Sequence, residues 1–511
     1  MYIYDPKRLD MKKYFLLLLV FTIALIGNAQ TDKIVIGKVD SVYSPTLKEK
    51  RKIWIYTPNM SGEPNPRQRY PVLYLLDGEG HFQSVVGMIQ QLSQVNGNTI
   101  VPEMIVVGIP NTDRTRDLTP THITSDLPMM DSNSTKNTGG GENFATFLEK
   151  ELMPHIDSLY LTQPFKLLIG HSFGGLTVMN IITNHTKLFN AYIAIDPSMW
   201  YDKERFLKAT EMKLAGQRYN RTSLYLGIAN TMAEGMTLEK MQKDTTPDTR
   251  HIRSIFALDK FIKANSQNGL KFSSKYYGDD DHGSVPMISA YDGLRFIFSW
   301  YRFKFSPSDF MSPDTSVVQR YKQHYQKVSK EMGYKVSPAE SQINELGYFS
   351  LQQKNYDKAA ALFAMNIENY PGSGNTYDSY ADALMAKKDT ARAIANYRKA
   401  YSMTKSEDTK HKLDELEGKA VYTLTTKELE KYVGVYQFEG IDLAATTMIK
   451  GNALWVSAPG QGEFELDPIS SNTFLVKGVQ GYTLKFDVEG DKAVGLTAIQ
   501  PNGTFKAKMK K

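Results

Sequence analysis

The run FKLLIGHSFGG at residues 165–175 is the stretch that decides the fold of the largest part of this chain. It opens with a mostly apolar segment of strand length, and the residues that follow it have helical character. A G-x-S-x-G pattern between a strand and a helix forms a tight turn that exposes a serine hydroxyl. Side chains at Gly170 or Gly174 would collide with the backbone on either side of that turn. The pattern predicts Ser172 as a nucleophile; the alternative is a structural glycine-rich turn.

Residues 33–305 alternate short apolar strands with helical stretches. The segment VLYLL at 72–76 is continuously apolar, which is typical of a strand covered on both faces. Residues 143–160 carry the apolar period of a helix. The other predicted strands are 34–37, 51–56, 104–109, 166–169, 191–195, 223–228 and 270–277. This alternation predicts an α/β fold, with a mostly parallel sheet and helices on both faces.

Length and composition limit the number of domains and the kinds of site that the chain can contain. With 511 residues it is too long for one ordinary domain. The net charge of +6 is spread thinly, without a basic block, which argues against nucleic acid as a partner. The chain has no cysteine, which excludes a thiol nucleophile, a disulfide framework and thiolate metal sites. No cofactor and no metal is expected.

Residues 1–29 have the pattern of a signal peptide whose true start is Met11. A short positive region is followed by an apolar run over 14–26, and small residues at 27–29 suit signal peptidase. The alternative is a membrane anchor, but the apolar run is short for a span, so no stable anchor is expected. The pattern predicts a secreted or periplasmic bacterial protein.

Residues 306–418 form a helical linker and repeat segment in the sequence. Ala359 recurs as Ala393, and Phe363 recurs as Tyr397, in each case 34 positions further along the chain. That period is typical of tetratricopeptide repeats, which predicts two helical hairpins with 317–332 as a flanking helix. The segment is interpreted as a spacer or a self-association contact, and the alternative is a peptide-binding site for a protein partner.

Residues 419–511 alternate in the manner of short antiparallel strands. Gly-Asn, Pro-Gly, Glu-Gly and Asn-Gly pairs separate these strands. The pattern predicts a small β domain, either a barrel or a strongly curved sheet. It contains no histidine and nothing that suggests chemistry.

A serine nucleophile needs a histidine base and an acid that orients the base. His282 follows the last predicted strand, at the sheet edge where the base of this fold arrives. The acid is expected after the strand at 223–228, where Glu234 is the nearest carboxylate. Asp244 and Asp248 are alternatives for the acid, and Asp196 is interpreted as a substrate or structural contact.

Ester chemistry also needs hydrogen-bond donors for the developing oxyanion. The backbone N–H of Phe173 supplies one donor, because it directly follows the nucleophile. The second donor is expected in the loop after 72–76, where Gly78-Glu79 allows the chain to turn its amides inward.

Five motifs in chain order resemble the putative-esterase family of α/β hydrolases. They are YLLDGEG at 74–80, VVGIPNTDRTRDLTP at 106–120, GHSFGG at 170–175, IDPSMW at 195–200 and DDDHGS at 279–284. The family includes esterase D, enterobactin-type siderophore esterases, feruloyl esterases and mycolyltransferases. The resemblance covers about residues 33–305 and implies an α/β-hydrolase fold. The segment at 432–436 is similar to small barrel domains appended to bacterial hydrolases.

The resemblance also implies roles for individual residues. Ser172 and His282 match the nucleophile and base, and Glu79 and Phe173 match the oxyanion donors. Asn111, Arg114 and Trp200 fall where relatives line the acyl or leaving-group pocket. The match is weakest at the acid, because the family varies there.

The sequence therefore predicts an exported serine carboxylesterase. Its substrate stays open between a siderophore lactone, a feruloyl or acetyl polysaccharide ester and a simple thioester, and Arg114 and Arg116 would favour an anionic substrate if they face inward. The rival predictions are an acyltransferase with the same triad and a non-catalytic binding or assembly protein.

Overall fold

A computed structural model describes residues 34–58, 68–124, 135–419, 422–477, 479, 481–500 and 503–510. The predicted signal peptide lies outside these residues. The chain divides into two compact units at Arg302 and Phe303. Over the described ranges, none of the helices combines the length and apolar character that a membrane crossing requires.

The first unit is built on an eight-stranded sheet. Its strands are β1 (Lys38–Ser44), β2 (Glu49–Tyr56), β3 (Tyr70–Leu76), β4 (Ile105–Ile109), β5 (Thr162–His171), β6 (Ala191–Ile195), β7 (Ser223–Ala229) and β8 (Lys271–Tyr277). They lie in the order β1-β2-β4-β3-β5-β6-β7-β8. β1 and β2 pair antiparallel with their neighbours, and the strands from β4 to β8 in that order pair parallel. This mostly parallel sheet confirms the predicted fold class.

Helices connect these strands and cover the sheet. They are α1 (Gly78–Ser93), α2 (Arg114–Asp117), α3 (Gly141–Phe147), α4 (Met153–Leu159), α5 (Phe173–Asn184), α6 (Arg205–Gly216), α7 (Leu238–Lys243), α8 (Arg250–Ala264) and α9 (Val285–Ile297). A π-helical turn, Leu148–Leu152, joins α3 to α4 into the single helical stretch that the sequence predicts.

The central strands are buried along their whole length. Every residue of β3, β4, β6 and β7 is buried, as their continuously apolar sequences require. β3, β5 and β6 are adjacent and parallel, so their carboxyl ends meet at one edge of the sheet. Asp77, Ser172 and Asp196 each directly follow one of these three strands. Side chains that are distant in sequence therefore converge at that edge.

The second unit begins with helices. They are α10 (Pro307–Met311), α11 (Ser316–Met332), α12 (Glu340–Gln352), α13 (Tyr356–Asn369), α14 (Gly374–Ala386), α15 (Thr390–Thr404), α16 (Glu407–Leu416) and α17 (Thr426–Leu429). The hairpin α12–α13 recurs as α14–α15 with starting residues 34 apart, in agreement with the predicted hairpins. Val317, Val318 and Tyr321 of α11 pack with Ile343 and Leu362 of the first hairpin. α11 is thus the flanking helix, and the tetratricopeptide name stays an interpretation.

The second unit ends in a closed antiparallel barrel. Its strands are β9 (Gly434–Phe438), β10 (Ala444–Lys450), β11 (Ala453–Ser457), β12 (Glu463–Pro468), β13 (Thr473–Val476), β14 (Thr483–Glu489), β15 (Lys492–Gln500) and β16 (Gly503–Met509). Tyr432, Tyr436, Phe474 and Phe486 fill its core in ring-to-ring contact. The barrel confirms the predicted small β domain.

Candidate active site

Ser172 lies in a strained turn between β5 and α5. Its φ of 59° and ψ of −116° are in a region that non-glycine residues rarely adopt. The backbone N–H of Ser172 donates to the carbonyl of Ile195 at 3.0 Å, which fixes the turn to the end of β6. The sharp strand–turn–helix geometry is that of a nucleophile elbow.

The two glycines of the motif are required by close contacts. A β-carbon on Gly170 would lie 2.3 Å from the carbonyl oxygen of Gly174, well inside van der Waals distance. A β-carbon on Gly174 would lie 3.0 Å from Oδ2 of Asp77. At Gly170 a side chain would therefore collide with the backbone, as predicted. At Gly174 the close contact is with the Asp77 side chain, not with the backbone.

The hydroxyl of Ser172 faces the chain that follows β6. Its Oγ lies 3.4 Å from Oγ of Ser198, and the backbone N–H of Ser198 donates to the carbonyl of Ser172 at 3.2 Å. The ring of His171, directly before Ser172, lies 4.5 Å from the ring of His282. The elbow, Ser198 and His282 thus share one edge of the sheet.

Asp196 accepts the hydrogen bond from His282. Oδ2 of this carboxylate lies 2.6 Å from Nδ1 of His282, while Oδ1 accepts from the backbone N–H of Ala229 at 2.9 Å. The Asp196 side chain is fully buried, whereas 40% of the His282 side chain is exposed. Burial raises the pKa of Asp196, but hydrogen bonds from His251 and His282 outweigh burial and hold that pKa well below its usual range. An ionised Asp196 requires the proton of His282 on Nδ1 and leaves the lone pair on Nε2.

Glu234, the predicted acid, is not the hydrogen-bond partner of His282 in the structure. Glu234 is exposed in the loop after β7, and Nδ1 of His282 is bonded to Asp196 instead. Asp244 accepts hydrogen bonds from Thr246 and Thr249, and Asp248 is exposed. β6 is adjacent to the nucleophile strand, whereas β7 lies one strand further away, which explains why the nearer carboxylate belongs to β6.

His251 is a residue of this site that the sequence reasoning missed. Its Nε2 lies 2.7 Å from Oδ2 of Asp196, the same oxygen that His282 contacts. The His251 and His282 rings meet edge to face with their centres 5.2 Å apart. His251 belongs to α8, and no motif connects that helix to the elbow in the sequence.

Asp196, His251 and His282 also form the one group in the described residues that has a metal-ligand composition. Their three donor atoms lie within 4.8 Å of one another. Both nitrogens already contact Oδ2 at hydrogen-bond distance. In this arrangement the carboxylate and the two imidazoles are joined by hydrogen bonds.

His171 packs within a row of histidine rings. Its ring meets that of His81 edge to face with the ring centres 5.9 Å apart, and its centre lies 4.5 Å from that of the His282 ring. Burial, together with the nearby His282 and His81, lowers the pKa of His171 to about 4. His171 is therefore neutral at neutral pH.

The two predicted oxyanion donors lie at the start of helices. Phe173 is the first residue of α5, and Glu79 is the second residue of α1. Backbone N–H groups in the first turn have no partner within their helix, and the helix dipole favours negative charge there. A β-carbon on Gly78 would lie 2.6 Å from the backbone nitrogen of Ile109, so glycine allows α1 to start against β4.

Asn111 and Arg114 contact the loop that precedes α1. The Asn111 side chain donates to Asp77 at 2.7 Å and to Glu79 at 2.8 Å. Arg114 donates to both oxygens of Asp77, at 2.6 and 3.1 Å, and its guanidinium lies 5.4 Å from the ring centre of Phe173. Arg114 is thus held against the predicted oxyanion loop.

Arg116 and Trp200 have different surroundings. Arg116 bonds to Glu49 and Asp117, away from Asp77. Trp200 is half-buried, and its ring lies 6.2 Å from that of Phe173. Of the residues predicted to bind substrate, Asn111, Arg114 and Trp200 therefore gather around Glu79 and Phe173.

Comparison with known proteins identifies the family of this chain. The "Putative esterase" family model matches residues 44–262. Ferri-bacillibactin esterase BesA of Bacillus subtilis is 27% identical over 46% of this chain and 80% of its own length. A siderophore enterobactin esterase of Emericella nidulans is 23% identical over 51% of this chain and 91% of its own length.

A solved structure extends the match. The IroE-like serine hydrolase of Shewanella oneidensis is 31% identical, with a TM-score of 0.55, over 65% of this chain and 99% of its own. The similarity in sequence and in fold therefore extends over nearly the whole of that hydrolase. The chain belongs to the putative-esterase family, and it is an ester hydrolase with an α/β-hydrolase fold.

Proposed function

We propose that the chain is a serine esterase in which Ser172, His282 and Asp196 form the catalytic triad. The observation that carries this proposal is the 2.6 Å hydrogen bond between Asp196 and Nδ1 of His282, beside a strained elbow that presents Ser172. The bond leaves the lone pair of His282 on Nε2, the nitrogen that a general base of this kind uses.

The reaction would proceed through an acyl-enzyme. The Ser172 hydroxyl turns from Ser198 towards Nε2 of His282 and attacks the ester carbonyl carbon while His282 takes its proton. The bond from that carbon to the alkoxy oxygen then breaks, and His282 gives the proton to the departing alcohol. Water repeats the sequence on the acyl-enzyme, releasing the acid and restoring the Ser172 hydroxyl.

The backbone N–H groups of Glu79 and Phe173 would stabilise the oxyanion. Asp77 lies directly before α1, and an unpaired carboxylate there would oppose that charge. Arg114 and Asn111 bond to Asp77, which supports a role for both in neutralising and holding the loop. Because the Arg114 guanidinium contacts Asp77 and that of Arg116 contacts Glu49 and Asp117, these residues give little support for selection of an anionic substrate.

We infer that the substrate is a siderophore ester. Support comes from relatives that are named as siderophore esterases and that match along most of their length. Trp200 would supply an apolar wall beside Phe173 for an aromatic acyl or leaving group. Export of the enzyme stays a prediction of residues 1–29.

Hydrolysis of p-nitrophenyl acetate by the full chain tests the reaction type. We expect Ser172→Ala to lose nearly all activity, while Ser158→Ala, a surface serine of α4, keeps it. Activity that survives Ser172→Ala contradicts the nucleophile assignment.

A panel of a tricatecholate trilactone, a feruloyl ester and acetylated xylan then tests the substrate class. We expect the highest kcat/KM for the trilactone, with chain cleavage visible by mass spectrometry. A preference for the feruloyl or acetyl ester contradicts the siderophore proposal. Transfer of the acyl group to an added sugar, in place of water, would favour the acyltransferase alternative.

A further inference from the structure

We propose that His251 is a positioning residue that holds the catalytic base through the shared acid. This inference rests on the proposed triad and adds a fourth member to it. Nε2 of His251 and Nδ1 of His282 lie 2.7 and 2.6 Å from the same oxygen of Asp196. Two imidazoles thus meet at one buried carboxylate oxygen.

The protonation of the two rings follows from their common acceptor. An ionised carboxylate only accepts hydrogen bonds, so each ring presents an N–H to it. His251 therefore carries its proton on Nε2, and His282 carries one on Nδ1. The carboxylate accepts three donors in all, since the N–H of Ala229 bonds to Oδ1 at 2.9 Å. Together these bonds prevent the carboxylate group of Asp196 from rotating.

The residues that hold the two rings differ in rigidity. His282 lies in a loop between β8 and α9 with 40% of its side chain exposed. His251 has 19% exposed and lies on α8, where Ile252, Ile255 and Leu258 are fully buried in the core. The hydrogen bond from His251 fixes the position of Oδ2 of Asp196, the oxygen to which His282 donates. Through Asp196, His251 thereby connects the exposed His282 to a helix that is packed against the core.

Loss of the His251 bond would leave Oδ2 held by His282 alone. The carboxylate and the base could then turn together, and Nε2 of His282 would lose the orientation that the proposed proton transfer from Ser172 needs. Small misplacements of a catalytic group lower the rate of the chemical step more than they lower binding. Since His251 acts through Asp196, its effect should appear in kcat and should vanish when Asp196 is absent.

The test compares kcat and KM for His251→Phe, His251→Gln and wild type in the full chain. Glutamine retains a side-chain N–H donor, and phenylalanine retains the ring without one. We expect His251→Phe to lower kcat about 10- to 100-fold, with KM nearly unchanged. Loss of a residue that hydrogen-bonds to a metal ligand lowers activity by a similar factor in metalloenzymes. His251→Gln should restore most of the lost kcat.

The control is His155, whose Nε2 lies 3.0 Å from Oδ2 of Asp40 on β1, away from the elbow. His155→Phe removes a similar histidine–aspartate bond and should leave kcat unchanged. A second arm places His251→Phe in an Asp196→Asn background, where it should cause no further loss.

Two results would overturn the proposal. One is wild-type kcat in a folded His251→Phe variant, and the other is an undiminished loss from His251→Phe in the Asp196→Asn background. The Ser172→Ala variant separates this failure from failure of the proposed function. If Ser172→Ala is inactive while His251→Phe is normal, the triad stands without His251; if Ser172→Ala is active, both proposals fall.

Discussion

Replacement of Asp196 by asparagine is the sharpest test of the proposed triad. The substitution keeps the size of the side chain and one carbonyl oxygen, but removes the charge. In the folded chain that charge is fully buried and is shared by His251, His282 and the backbone N–H of Ala229. One asparagine oxygen and one NH2 group cannot satisfy three donors, because the NH2 group only donates.

The size of the effect follows from the charge that His282 gains in the transition state. An imidazolium about 4 Å from a carboxylate is stabilised by about 4 kcal/mol at an effective dielectric constant of about 20. Each 1.36 kcal/mol corresponds to about tenfold in rate, so removal of the charge should lower kcat about 10³-fold. Asparagine can also impose the wrong tautomer on His282, which extends the expected loss towards about 10⁴-fold.

The assay is kcat and kcat/KM on p-nitrophenyl acetate, with calorimetric unfolding to verify the fold. Glu234→Gln is the matched control, since it neutralises the exposed carboxylate that the sequence favoured as the acid. We expect Glu234→Gln to retain wild-type kcat. An Asp196→Asn variant that keeps a tenth of the wild-type kcat would refute the triad with Asp196, and a large loss in Glu234→Gln would return the role to Glu234.

Two further predictions concern stability. Burial lowers the pKa of native His171 to about 4, and an unfolded histidine titrates near about 6.5, so the unfolded chain binds more protons between these values. The free energy of unfolding should thus fall by about 1.4 kcal/mol per pH unit as the pH drops from about 6.5 towards 4. His171→Phe should therefore show a smaller decrease in Tm from pH 7 to pH 5 than the wild type. Equal decreases in the two proteins would contradict the assignment. A β-carbon on Gly347 would lie 2.3 Å from the Phe363 ring, so Gly347→Ala should lower the free energy of unfolding of the second unit by about 1–3 kcal/mol. Gly372→Ala, where no other atom lies within 4 Å, is the control, and equal Tm values for the two variants would contradict this packing.

Much of the proposed site can be predicted from the sequence because it depends on local chemistry. Ser172 was predicted from glycine spacing, and the backbone conformation at Ser172 and the contact at Gly170 agree with that pattern. His282 was placed by its position after the last strand of the sheet. The loop at Gly78 and Glu79 was placed by the same logic, because carboxyl ends of parallel strands meet at one edge. These predictions needed only the order of the strands along the chain.

The acid could not be predicted with the same logic, because two strands end in suitable loops. The choice between Asp196 and Glu234 depends on which strand lies beside β5 and on which side chain is buried. Both facts belong to the folded sheet. His251 is harder still, since its helix reaches the site through tertiary packing and carries no motif.

Backbone strain at the carboxyl edge gives one physical account of the whole site. Asp77, Ser172 and Asp196 each directly follow one of three adjacent strands, and their φ values are 52°, 59° and 41°. Left-handed backbone at a non-glycine residue costs about 1–3 kcal/mol, and it persists only where the surroundings hold it. Here Arg114 and Asn111 hold Asp77, the carbonyl of Ile195 holds Ser172, and Gly227 and Ala229 hold Asp196. Since each of these partners is distant in sequence from the residue that it holds, the strained conformations depend on tertiary contacts around the strand ends. The pairing of these strands therefore positions the proposed nucleophile, acid and oxyanion loop together.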